Sequence, residues 1–380
     1  MRGPVACIDI DYFYAQAEEL RNPAIKDKPV LVCVYSGRTA DSGVVATCNY
    51  IARRFGVKSG IAISRAKTLL RDVDAVFLPV DMQYYSAISR RVFEIAEEYA
   101  DVLEVASIDE AFLDLSEASS GSYENAASLM ASLKSEVRLK AGLTCSVGVA
   151  KNKLLAKMAA DDAKPDGLMV LRPGAEEAYL RPKPVKDIPY VGGKTAKRLQ
   201  ELGVETVGDL SRFSLDRLVE LFGFRMGRFI YLAGRGEYYE QVTPRGEFKQ
   251  LSRMVTLKRV SRDEDEVWGQ LSVALGELHR RVVDGGYLFK AVSLMGITVD
   301  MNMVSRGVVL PRYTQELSDL ETVSRRLLKL LLSGLQGELR RIGIRVHKLS
   351  VGRGQSKLTD FQRANSSEER LEQDDQDGRG

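Results

Sequence analysis

The pattern of apolar and polar positions changes period several times along the chain, and each change marks an element. Residues 4–10 form an almost unbroken apolar run, Pro-Val-Ala-Cys-Ile-Asp-Ile, that predicts a buried strand. Over 11–20 the spacing shifts to that of a helix, with Phe13, Ala17 and Leu20 on one side, so Asp9 falls at a strand end. A second strand is predicted over 29–35, the stretch 36–43 is polar, and 44–55 and 63–70 read as helices, with Gly56 and Gly60 as breaks. A short apolar segment at 77–80 precedes an amphipathic helix at 84–99. Strand character over 103–115 is then interrupted at Asp109-Glu110. A small-residue loop at 118–122, a helix over 126–141, a strand over 143–149 and a helix over 151–163 follow, and Lys164-Pro165-Asp166-Gly167 stops the last of these.

Interleaved strands and helices argue a layered α/β or α+β unit for the first 167 residues. The stretch 185–235 carries short helical patterns separated by glycines, and 236–248 is polar enough to link two bodies. From 251 to 349 the order is strand, helix, strand, strand, helix, strand, which predicts a small sheet with helices on one face. The last thirty residues have few apolar groups and are expected to be disordered.

A chain of 380 residues that is 44% hydrophobic and 28% charged suffices for two to three domains. It has neither an apolar run long enough to span a membrane nor an apolar leader, so a cytoplasmic location with no membrane partner is expected. Cys7, Cys33, Cys48 and Cys145 sit in apolar runs without paired-ligand spacing, and His279 and His347 are the only histidines. Zinc and histidine-based nucleophilic chemistry are thereby disfavoured. Charge is uneven: 20 basic against 23 acidic residues over 1–167, 13 against 10 over 168–246, 17 against 12 over 247–350, and 5 against 7 beyond. Ordinary fluctuation produces such a distribution, and so does an enzyme that holds cations at carboxylates in one half and a polyanion in the other.

The carboxylates sharpen that choice. Adjacent Asp109 and Glu110 would point to opposite faces of a regular strand, so both serve one site only if the chain turns there. Turn carboxylates need no function beyond solvation. If Asp9, Asp109 and Glu110 converge, however, they supply the oxygen ligands that hard divalent cations require.

Asp9-Ile10-Asp11-Tyr12-Phe13-Tyr14-Ala15, the segment from Ala46-Thr47-Cys48-Asn49-Tyr50 to Arg53-Arg54-Phe55-Gly56-Val57, and Ser107-Ile108-Asp109-Glu110-Ala111-Phe112-Leu113-Asp114 together resemble the DinB-type, Y-family translesion DNA polymerases. Val147-Gly148-Val149-Ala150-Lys151-Asn152-Lys153-Leu154-Leu155-Ala156-Lys157 and Ala163-Lys164-Pro165-Asp166-Gly167 continue the match in order, over residues 1 to about 350. The resemblance implies an α+β multidomain right hand: palm (1–10 and 77–167), fingers (11–76), helical thumb (168–235), linker (236–247) and a C-terminal α/β little finger (248–350), with a disordered tail (351–380). It implies a template-directed polymerase of low fidelity that extends primers past damaged bases and has no proofreading exonuclease. Its cofactors would be two Mg²⁺ ions on Asp9, Asp109, Glu110 and the carbonyl of Ile10, and its partners primer–template DNA and deoxynucleoside triphosphates, with the enzyme a monomer. Asp11 reads as local support for that site.

By the same resemblance, Tyr12, Phe13, Tyr14, Thr47, Tyr50, Arg53 and Lys164 bind the incoming nucleotide, Tyr14 is the steric gate against a 2′-hydroxyl, and Val34, Val44 and Gly60 roof the templating base. Tyr50 and Arg53, three apart, fall on one face of the predicted helix, with Thr47 on the same face. The stretch 185–203 looks like a helix-hairpin-helix in which Gly192, Gly193 and Lys194 would hold a phosphate, with Tyr190 where the first hairpin glycine usually stands. Arg253, Lys258, Arg259, Arg262, Arg306, Arg340, Arg341 and Arg345 would grip DNA from the little finger. Gln355, Leu358 and Phe361 have the spacing of a sliding-clamp peptide, although Gln362 replaces its second aromatic. A DNA-binding scaffold without chemistry and a different two-metal enzyme are the competing classes; of the three, the polymerase alone accounts for the whole chain.

Overall fold

The computed structural model describes residues 3–244, 246 and 248–351, and the chain divides into two compact units, 1–35 with 39–246 and 36–38 with 247–380. Among the described residues no helix is long and apolar enough to cross a membrane.

The first unit runs β1 (Val5–Ile10), α1 (Phe13–Arg21), β2 (Val30–Tyr35), β3 (Gly43–Cys48), α2 (Tyr50–Arg54), α3 (Ile63–Leu69), β4 (Val76–Pro79), α4 (Met82–Glu97), β5 (Val102–Val105), β6 (Glu110–Asp114), α5 (Tyr123–Ala141), β7 (Cys145–Ala150), α6 (Lys153–Asp162), β8 (Leu168–Val170), α7 (Glu176–Leu180), α8 (Gly193–Glu201) and α9 (Leu215–Ala233). Its five-stranded sheet has the order β5-β6-β1-β7-β8. Alternation along β1 and β6 divides the core. Ile8 and Leu113 pack with buried residues of α4 and α5, whereas Cys7 and Phe112 pack under Leu154, Leu155 and Met158 of α6. A side chain at Gly148 would lie 2.1 Å from the Ala156 carbonyl, so this glycine lets α6 rest directly on β7.

A three-stranded sheet of order β3-β2-β4 forms a separate core under α2 and α3. The predicted helix over 44–55 is instead strand β3 followed by the short α2. The β-branched Val44, Val45 and Thr47 pair with β2, and Asn49 makes the change of direction. Its side chain accepts from Val30 N at 3.1 Å and Ala52 N at 3.0 Å and donates to Glu19 and the Lys28 carbonyl, both at 2.8 Å. Losing such a cap costs about 1 kcal/mol. Two boundaries read from the sequence also move. β4 pairs in parallel with β2, so 77–79 belong to the small sheet, and β8 pairs with β7, so the large sheet extends past residue 167.

The second unit carries β9 (Gln250–Ser261), α10 (Glu264–Asp284), β10 (Tyr287–Thr298), β11 (Met303–Thr314), α11 (Leu317–Ser333) and β12 (Leu339–Val351), in the predicted order. Its four-stranded sheet, β11-β10-β12-β9, packs α10 and α11 over one face through Leu271, Leu278, Leu328, Ile342, Ile344 and Val346. Among the described residues, no helix of this unit lies on the opposite face.

Candidate active site

The register of the large sheet sets the site. Cys7 lies opposite Phe112 and Asp9 opposite Glu110, so an apolar cross-strand pair under α6 is followed, one pleat on, by a carboxylate pair on the same face. Asp109 precedes β6 in a turn closed by Ala106 N and Ser107 N donating to the Glu110 carbonyl, which is the turn the adjacent carboxylates require. Its carbonyl accepts from Ile10 N at 2.8 Å, and its carboxylate accepts from the Ser107 hydroxyl. The Ile10 side chain is in the core, so only its backbone borders the site.

Two lysines cross-link these groups: Lys164, expected at the nucleotide, and Lys157, which has no expected role. The Lys157 ammonium is 2.6 Å from both Asp9 and Glu110 and 3.0 Å from Asp161, and Lys164 is 2.8 Å from Asp9 and 2.9 Å from Asp161. Burial works to lower both lysines, but Asp9 and its neighbouring carboxylates outweigh it, raising Lys164 and holding Lys157 well above the usual lysine value. Burial pushes Glu110 up, with Asp9 adding to the rise and Lys157 opposing it. Lys157 ends the motif that begins at Val147, and its i,i+4 spacing from Asp161 on α6 was the available signal for it.

Among the described residues no three acidic, histidine or cysteine side chains are grouped closely enough to hold a metal ion in this arrangement. The donor set nevertheless fits one: it is all oxygen, and two carboxylates already converge on a single cation, the Lys157 ammonium. Asp11, fully buried, accepts from the hydroxyls of Thr144 (2.8 Å) and Ser146 (2.7 Å) and from Asp166 N (2.9 Å), which ties the end of β1 to the turn after α6.

Beside this cluster, Arg53 lies over the Tyr50 ring at 4.6 Å, and the Tyr50 hydroxyl is buried without a hydrogen-bond partner among the described residues. Burial raises Tyr50, with Asp11 second and Arg53 and Lys164 opposing. Thr47 is on β3, so it shares no helix face with Tyr50. Tyr12 has left-handed backbone (φ 34°), donates to Glu19 at 3.2 Å and meets Tyr50 edge-on. The Phe13 side chain is in the core, which leaves only its backbone amide for a ligand. Tyr14 is half-buried, its ring stacked on Tyr85 at 4.5 Å and 15°, and burial, then Asp109, raises its phenol. Val34 and Val44 are a cross-strand pair, both 44% exposed, and Gly60 N donates to the Val45 carbonyl beside them.

Gly192 and Gly193 begin α8 with no side-chain cap, and a Cβ at either would meet nothing within 4 Å, so the first amides of α8 and exposed Lys194 are accessible. Tyr190 adopts the glycine-like φ of 68° that its position in the hairpin demands. A cleft of about 650 Å³ joins this hairpin to Glu110, Lys157 and Asp161.

In the second unit the eight basic residues divide between the two faces. Ile342, Ile344 and Val346 face the helices, so Arg341 and Arg345 lie on the other face, and the Nε of each is buried without a partner among the described residues. Arg253 shares a face with Leu251, Val255 and Leu257 and pairs with Glu277 of α10 at 2.6 Å; Arg306 shares a face with Val304 and Val308 and reaches Gly334 past the end of α11. These two exposed arginines therefore lie on the helix-bearing side of the sheet, opposite Arg341 and Arg345. Lys258, Arg259, Arg262 and Arg340 are exposed, with Arg262 3.5 Å from the Leu332 carbonyl. Gln355, Leu358 and Phe361 lie outside the described residues.

Comparison with known proteins finds similarity over most of the chain. Residues 8–161 match the impB/mucB/samB family, 186–237 the DNA polymerase-iota thumb domain, and 248–359 the C-terminal domain of the impB/mucB/samB family. DNA polymerase IV of Nitrosopumilus maritimus is 40% identical over 355 residues, 93% of this chain and 98% of its own. DNA polymerase IV of Saccharolobus solfataricus is 38% identical over 94% of this chain and 99% of its own. Among solved structures, a Y-family DNA polymerase chimera, Dbh-Dpo4(243-245)-Dbh, superposes with a TM-score of 0.85 at 35% identity, over 92% of this chain and 99% of that one. The insertion ternary complex of Dbh DNA polymerase gives 0.66 at 34% identity, over 90% and 98%.

Proposed function

The chain belongs to the DinB-type Y-family DNA polymerases, and from that membership we propose how its own residues carry out the reaction. It is a DNA-directed, translesion DNA polymerase with a right-hand α+β fold, dependent on a divalent metal, acting on primer–template DNA and nucleotide. In our reading the five-stranded sheet is the palm, the small sheet the fingers, the helices from α7 to α9 the thumb, and the second unit the little finger. The observation that carries the chemistry is the Asp9–Glu110 cross-strand pair converging on one cation beside Asp109.

Asp9, Asp109, Glu110 and the Ile10 carbonyl would hold two Mg²⁺ ions. When bound, these ions would acidify the primer 3′-hydroxyl and bear the charge of the triphosphate and departing pyrophosphate. The amides at the start of α1, from Tyr12 to Tyr14, meet the triphosphate at a helix N-terminus, while Arg53, Lys164 and the unpartnered Tyr50 hydroxyl donate to its oxygens. Tyr14, fixed against Tyr85, presents its ring beneath the sugar and leaves no room for a 2′-hydroxyl. Val34, Val44 and Gly60 form a smooth roof that checks shape weakly, which supports low fidelity. Gly192, Gly193 and Lys194, and separately Arg341 and Arg345 with Lys258, Arg259, Arg262 and Arg340, neutralise backbone phosphates without reading sequence. The enzyme acts as a cytoplasmic monomer, with Gln355, Leu358 and Phe361 docking on a sliding clamp. Truncation after Leu349 is expected to abolish clamp stimulation.

The test is primer extension with Mg²⁺ on an undamaged template and on one with an abasic site. Extension on both, reduced about a thousandfold or more in Asp109→Ala, is expected. No extension by folded, DNA-binding protein would sink the reading. Tyr14→Ala should lose roughly a hundredfold of sugar discrimination in single-nucleotide insertion, and unchanged discrimination would remove the gate.

A further inference from the structure

We propose that Lys157 is a displaceable internal counter-ion: its ammonium keeps Asp9 and Glu110 together and neutralised until a divalent cation takes them, and Asp161 is the carboxylate to which it then withdraws. The inference rests on the metal-binding role proposed for Asp9 and Glu110.

Four observations carry it. Asp9 and Glu110 are direct cross-strand partners, and like charges so placed repel. Asp9 is only 7% exposed, so its charge needs a partner at all times. The Lys157 ammonium meets both carboxylates at 2.6 Å, and it sits on α6, which Gly148 allows to lie against the sheet. Its third contact, Asp161 at 3.0 Å, is one turn along the same helix and among no expected metal ligands. That carboxylate borders the cleft of about 650 Å³ beside Glu110, so the flexible lysine stem has both a second partner and room to reach it. Lys164 also touches Asp9 and Asp161, and the resulting two ammonium groups against three carboxylates leave an excess negative charge that still attracts a dication.

A lysine that only packed the core would change stability alone. A displaceable counter-ion competes with the metal, so removing it and removing its refuge act in opposite directions. The full chain, with dideoxy-terminated primer–template and nucleotide, would be titrated with Mn²⁺ and the free ion followed by electron paramagnetic resonance, alongside thermal unfolding in EDTA. Lys157→Met is expected to melt lower in EDTA, to gain more from Mn²⁺ than the unsubstituted protein does, and to bind Mn²⁺ about tenfold more tightly. Asp161→Asn should bind it about threefold more weakly, because the ammonium then has only the metal ligands to hold. Should Lys157→Met not fold, Lys157→Arg takes its place: its wider, permanently charged fork stays on the pair and weakens Mn²⁺ binding. Affinities within twofold of the original, or tightening in Asp161→Asn, overturn the proposal. Mn²⁺ binding left intact by Asp109→Ala would strike the metal site itself, and this inference with it.

Discussion

The two units each set charged side chains on a sheet, yet they treat the charge in opposite ways. In the first, Asp9, Glu110 and Asp161 are bridged by lysines, so most of their charge is offset from within the chain. In the second, Arg341 and Arg345 lie on a face that no described helix of that unit covers, and their buried Nε groups have no acceptor among the described residues. A group satisfied internally must be exchanged when its ligand arrives, whereas an unsatisfied donor gains a partner outright. Leaving such a donor unpaired costs about 1–3 kcal/mol, which a phosphate oxygen restores. The contrast suits a centre that must wait for its ions and a grip that must take any DNA.

The largest test of that contrast is Arg341→Ala combined with Arg345→Ala. Primer–template affinity should fall about tenfold or more, and the slope of log K against log salt should shrink by about two, measured by fluorescence anisotropy across salt. Arg253→Ala, whose guanidinium is already committed to Glu277, should leave that slope unchanged. Equal effects from the two changes would erase the distinction between the faces. Tyr50→Phe tests an unsatisfied donor beside the carboxylates of the first unit. The Michaelis constant for nucleotide should rise about fivefold with no loss of folding stability, because the hydroxyl has no partner to lose; destabilisation with an unchanged constant would give it a structural role instead.

The smallest effect concerns His347, which shares a hydrogen bond of 3.1 Å with Ser293. Burial, then Arg345 and Lys348, hold it below its ordinary value of 6.5, so the unfolded chain binds the proton more readily than the folded one. Its contribution is therefore fully present above pH 6.5 and declines as pH falls from there through the depressed folded value. His347→Gln should flatten that part of the thermal-unfolding profile against pH, and an unaltered profile would remove His347 as its cause.

The elements most readily legible were those with a single clear period. α4, α5, α10 and α11 and the succession of strands and helices along the second unit follow from apolar spacing, because one buried face suffices to mark each. The stretch 44–55 was not legible in that way: short apolar runs fit either period, and β3 is a strand because β2 lies beside it. The same limit applied to the basic residues of the second unit. Their number was plain, but Arg253 and Arg306 separate from Arg341 and Arg345 only once the helices show which face is covered.

The sequence by itself determined the chemistry available: three acidic residues at strand ends and a turn, aromatic and cationic residues flanking them, and the ordered motifs that carry the family resemblance. Those depend on residue identity and local spacing, which a single chain displays directly. The tertiary structure decided which charges meet. Asp9 and Glu110 are a hundred residues apart until strand register sets them side by side, and Lys157 reaches them because α6 crosses β7 at a glycine. Charge compensation acts through distances of a few ångströms, and those distances are fixed by register and packing rather than by position along the chain.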